Sequence, residues 1–148
     1  MIPTLLGRIE TRIFALALIG SIAQLIFSPI LPGIPDGADL GQVYKITFGV
    51  LIATIVLGIG WEFIYHALMQ FRWEKDWPTL FGFITVINEG ALLWFLIKAD
   101  IVPWVPKQLP FKTFVTDFLI VWMLTFLFVN GPMRVPFVRW RHRGGRLV

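Results

Sequence analysis

Residues Tyr44–Met69 read YKITFGVLIATIVLGIGWEFIYHALM. At about 1.5 Å per helical residue, roughly 20 residues cross a hydrocarbon core about 30 Å thick, so this run is long enough to span a bilayer. It nevertheless carries Glu62 and His66 near its far end. A soluble helix can turn such groups to water, but lipid offers none, so they must face other helices. The stretch predicts one member of a membrane-embedded helix bundle.

The rest of the chain agrees. Its 148 residues are 57% hydrophobic and their mean hydropathy is +0.76, too apolar for a domain whose whole surface meets water. Ile13–Leu31, Thr79–Ile97 and Phe114–Val129 are further apolar runs, and none alternates in polarity as a membrane β-strand does. The expected fold is an all-α integral membrane protein, a single four-transmembrane-helix bundle over residues 1–148 with a basic tail at 134–148. Arg8 and Arg12 precede the first run as in a secretory signal. Ser28-Pro29-Ile30-Leu31-Pro32 would be a poor cleavage site, however, so the first helix is expected to remain as an anchor.

Charge sets the expected orientation. Of the 13 Lys and Arg, nine (Arg8, Arg12, Arg72, Lys75, Arg134, Arg139, Arg141, Arg143 and Arg146) fall on the side of the two termini, against four (Lys45, Lys98, Lys107 and Lys112) on the other. The positive-inside rule then places both termini and the loop Gln70–Asp76 in the cytoplasm, with the plasma membrane as the expected location. Asp76 and Pro78 have the chemistry of a helix start.

Polar residues recur at helical spacing inside the runs. Thr47, Thr54, Gly58, Glu62 and His66 approximate one stripe, and Gly82, Thr85 and Glu89 another, with Asn88 adjacent. Gln24 and Ser21 share a face of the first helix. Because the second and third helices are joined by a short loop, Glu62 and Glu89 are expected at overlapping depths on neighbouring helices. An ionised carboxylate at that depth costs roughly 2.5–3.5 kcal/mol on insertion scales, so each needs a proton or a partner. Three partners suggest themselves: a proton shared between the two acids, His66 one turn from Glu62, and Arg134 at the end of the fourth helix. The expected intramembrane polar cluster is Glu62, His66, Glu89, Asn88, Thr85 and Gln24. On the other side, Asp117 is expected to pair with Lys112 or Lys45.

Several chemistries find no support. There is no cysteine for thiolates, and only two histidines, of which His142 lies in the tail. Glu62 and His66 are four apart rather than the three of a dimetal Glu-x-x-His, and neither a G-x-S-x-G elbow nor a phosphate-binding glycine loop occurs. No enzyme activity, cofactor or metal is expected. The tail residues Arg134, Arg139, Trp140, Arg141, Arg143 and Arg146 suit anionic lipid at about 1 kcal/mol per basic residue near the surface, or an acidic protein partner, rather than nucleic acid. With Gly144 and Gly145 before the end, the last residues are expected to be mobile unless bound.

These features point to a non-catalytic multi-pass membrane subunit or anchor with a protein partner or as a homo-oligomer. The alternative is a homo-oligomeric proton- or cation-coupled channel or small transporter built on the intramembrane carboxylates.

Overall fold

A computed structural model of the chain describes residues 4–34, 37–71 and 79–147, all helical or irregular. Helix α1 runs Leu5–Ile30, α2 Leu40–Gln70, α3 Thr79–Lys98, α4 Phe111–Asn130, and a short α5 Val138–His142. The first four are long and apolar enough to cross a membrane, the architecture of a multi-pass membrane protein. Their outward faces carry Ile22, Leu25, Val56, Phe63, Ile87 and Phe95, all exposed, as side chains meeting lipid would be. The expected loop Gln70–Asp76, and the helix start at Asp76 and Pro78, fall mostly on residues 72–78, outside the described set.

Helix α1 begins at Leu5, well before the expected Ile13, and the reason is local. Thr4 caps it, its hydroxyl accepting from the Gly7 N–H at 3.1 Å. Arg8 and Arg12 then sit inside the helix with their charges turned inward. Hydropathy alone assigns them to the flank. Helix α2 likewise starts early, at Leu40, because Asp39 accepts from the Gln42 N–H at 3.2 Å.

Midway along α1, Leu16–Gly20 form a π turn. In an unbroken α-helix, at about 100° per residue, Gln24 would point about 120° away from Arg12. A π turn takes up roughly one extra residue and returns most of that rotation. Arg12 and Gln24 accordingly line one cavity. Gly20, within the turn, lets α2 approach closely: a Cβ there would lie 2.6 Å from Leu51 Cδ1.

Around the bundle, α1 packs on α2 and α4, α2 on α3, and α3 on α4. At the end away from the termini, the core combines Val50, Leu93, Ile97, Phe114 and Phe118 with Val102, Val105 and Leu109 from the α3–α4 loop. Lys98 fastens that loop by donating to the carbonyls of Lys107 and Leu109, at 2.8 and 3.2 Å, while lying over the Trp94 ring.

The opposite end is closed by the tail, which is not loose. Trp140 is buried, and its indole N–H donates to Thr11 Oγ1 at 2.6 Å. The Gly144 carbonyl accepts from the Thr4 N–H at 2.9 Å, the Gly145 carbonyl from Thr11 Oγ1 at 2.9 Å, and the Leu147 N–H donates to Glu10 Oε2 at 2.7 Å. The strap lies directly on Gly7, where a Cβ would sit 2.7 Å from Gly145 C and closer still to Gly144 O. Gly144 and Gly145, expected to loosen the end, instead supply the positive φ angles, 64° and 87°, that shape it.

Gly7→Ala therefore inserts a methyl group where the strap's backbone lies, an overpacking of about 1–3 kcal/mol that only a shift of the strap can relieve. The expected outcome is a displaced tail on an intact bundle. Trypsin should cut after Arg139 and Arg143 faster than in the wild-type protein in nanodiscs, with the helical circular dichroism unchanged.

Candidate functional site

Burial along α2 selects which of its polar residues meet. Thr47, Thr54, Gly58, Glu62 and Tyr65 are buried, whereas His66 is only partly so. Steps of four overshoot a helical turn by about 40° each, so His66 has drifted about 120° from Thr54, while Tyr65 lies about 20° from it. His66 is not in the cluster. Its Nε2 lies 3.3 Å from Gln70 Nε2, and its Nδ1 has no partner among the described residues. Tyr65 takes the place foreseen for it, donating its hydroxyl proton to Glu89 Oε1 at 3.1 Å. The Asn88 amide lies 2.7 Å from that hydroxyl, and Thr85 Oγ1 donates to the Gly82 carbonyl at 2.7 Å.

Both carboxylates are paired, but with none of the three partners expected. Arg8 and Arg12, four residues apart and so on one face of α1, reach across to them. Arg8 Nε donates to Glu62 Oε2 at 2.6 Å and Arg12 Nε to Glu62 Oε1 at 2.8 Å. The two terminal nitrogens of Arg12 then fork onto Glu89, Nη1 to Oε2 and Nη2 to Oε1, each at 2.8 Å. All four carboxylate oxygens thus accept from a guanidinium. One side chain of α1 binds α2 to α3. Gly58, one turn before Glu62, makes the room: a Cβ there would lie 2.7 Å from Arg12 Cδ. Arg134 is elsewhere, exposed and donating to Asn130 Oδ1 at 3.2 Å.

A second polar group lies toward the other end. Gln24, 1% exposed, donates through Nε2 to Asp117 Oδ2 at 3.2 Å and to the Thr47 carbonyl at 3.3 Å. Ser28 Oγ donates to Gln24 Oε1 at 3.0 Å and lies 2.8 Å from Thr47 Oγ1. Asp117 is 4% exposed and makes no ion pair among the described residues. Lys45 and Lys112, its expected partners, are exposed. Lysine here can reach water with its ammonium, whereas Asp117 is carried inward on the α4 face that also buries Phe118 and Val121.

Between the two groups runs a cavity of about 290 Å³ lined by Arg12, Glu62, Glu89, Gln24 and Asp117 among otherwise mainly apolar walls. Trp140 and Gly145 of the strap border its terminal end. Among the described residues no cluster of three His, Asp or Glu could hold a metal. Of the tail residues, Trp140 is buried against α1, Arg139, Arg143 and Arg146 are exposed, and the Arg141 side chain lies outside the described set.

Arg8, Arg12, Tyr65 and the strap are what the sequence reading missed. One signal was available: two acids deep in the apolar runs require opposite charge, and Arg8 and Arg12, spaced by one turn beside the first run, are the pair that a single helix face could deliver.

Removing one partner of a buried ion pair costs about 3–5 kcal/mol, because the other charge is left uncompensated. Arg12→Met should lower stability by that amount in chemical unfolding from mild detergent. Adding Glu89→Gln leaves Arg8 facing Glu62 in charge balance and should recover more than half the loss, a non-additivity that a double-mutant cycle reads directly.

No family model matches the chain, and neither does any curated protein or solved structure.

Proposed function

We propose that the chain is a non-catalytic multi-pass membrane subunit or anchor, oriented with both termini in the cytoplasm of the plasma membrane. The observation that carries this reading is the saturation of Glu62 and Glu89 by Arg8 and Arg12. A carboxylate that relays protons or cations must exchange its partner during each cycle. Here every oxygen is held by a charge-assisted hydrogen bond, and three helices are tied through one guanidinium, which suits a clasp that selects helix register. His66, the group that could have passed a proton from Glu62, stands apart.

The orientation survives the inward turn of Arg8 and Arg12. Taking those two from the nine basic residues on the terminal side leaves seven against four. Exposed Arg134, Arg139, Arg143 and Arg146 present a basic surface at that end, suited to anionic headgroups or an acidic partner.

Proton and cation flux through the purified protein in liposomes tests the reading. Wild type, Glu62→Gln and Glu89→Gln, at matched insertion, are all expected to leak no more than protein-free vesicles. Flux in the wild type that either substitution abolishes would make the carboxyls a pathway and overturn the anchor in favour of a homo-oligomeric channel or carrier. The anchor reading further expects a hetero-complex to co-purify from native membranes after mild solubilisation.

A further inference from the structure

Among the described residues that line the cavity, Arg8 and Arg12 stand against Glu62, Glu89 and Asp117, two basic groups against three acids, and the first four are consumed in the clasp. The acid left without a charged partner among the described residues is Asp117. Among the described residues its one side-chain hydrogen bond comes from Gln24, a neutral amide, at 3.2 Å. A carboxylate has about four lone-pair sites, so acceptor capacity remains toward the cavity that Asp117 lines.

The wall beside it has matching chemistry. One face of α4 presents Asp117, Phe118, Val121, Trp122, Thr125 and Val129 to the cavity at steps of three and four. Trp122 is stacked on Phe126 with ring centroids 5.0 Å apart and edge-on to Phe83 at 5.3 Å. The Thr125 hydroxyl has no partner among the described residues. Rings attract cations through their faces, most strongly where water is excluded. At about 290 Å³ the cavity is close to the lower end of ordinary small-molecule sites, about 300 Å³.

We propose that this cavity binds a small lipophilic monovalent cation, an aromatic or alkyl ammonium, with its charge against Asp117 and its apolar body along the α4 face past Phe118 and Trp122. The one-to-one match with a single acid that has no charged partner sets the valence, and the aromatic wall sets the character. An anion would meet the Asp117 carboxyl with no free cation beside it among the described residues, and a strongly hydrated metal ion would gain nothing from the apolar walls.

Calorimetry on the full chain in nanodiscs of zwitterionic lipid tests this with three probes sharing one ring: benzyltrimethylammonium, benzyl alcohol and phenylmethanesulfonate. The cation should bind tighter than the alcohol by roughly 10- to 100-fold, the worth of a desolvated charge contact, and the sulfonate should not bind. Asp117→Asn, which keeps an oxygen for Gln24, should bring the cation down to the level of the alcohol. Trp122→Leu should weaken the cation more than the alcohol. Equal affinity of cation and alcohol in the wild type, preference for the sulfonate, or cation binding unchanged in Asp117→Asn would each overturn the proposal. The wild-type ordering decides the matter even where a variant does not fold.

Discussion

A guanidinium held between two carboxylates inside the bundle is the constraint to which the rest of the structure answers. Arg12 satisfies Glu62 and Glu89 together because its donors lie in one plane with fixed divergence, Nε toward one acid and the Nη pair toward the other. A lysine, as a point charge on a flexible stem, could neutralise one acid but could not orient both. Gly58 is small because the arginine stem passes over it, and Tyr65 and Asn88 extend the network on the far side of Glu89. Remove the charge and these features lose their common reason.

The two polar levels of the bundle do different physical work. Near the termini, opposite charges cancel within hydrogen-bonding distance, so the field they project along the interior is small. Toward the other end, Gln24, Ser28 and Thr47 form a neutral relay around a single acid. Among the described residues hydrogen bonds alone hold that level together, with no cation set against the acid. The ends are also closed differently, one by an apolar loop fastened by Lys98 and the other by a backbone strap laid on Gly7.

How much of this could be read from the chain follows from what local pattern encodes. The four apolar runs were legible because lipid tolerates little else, and the burial of Gln24, Thr85, Glu62 and Glu89 followed from the same solvent argument. Arg8 and Arg12 were misplaced because hydropathy scores a residue by its own transfer cost and cannot see a partner fifty or more positions away. His66 failed for a geometric reason: repeated steps of four do not stay on one face. Asp117 was assigned to Lys112, near it in sequence, or to Lys45 on the same side of the bundle, but long side chains with water in reach have no need of a buried partner. The strap was invisible because backbone carbonyls and glycines carry no compositional signal of what they bond to.

The π turn at Leu16–Gly20 makes the agreement between the two polar levels a matter of residue count rather than residue type. Gly20 apart, whose missing Cβ lets α2 approach, side chains around that turn can vary and the two halves of α1 will still aim Arg12 and Gln24 inward. Drawing the same residues into a regular α-helix would turn one half by about 100° against the other, breaking either the ionic level or the neutral one, whereas loss of one residue together with the π turn would leave both aimed inward. The chain thus stores the phase relation of its interior as a length, which no single-residue property records.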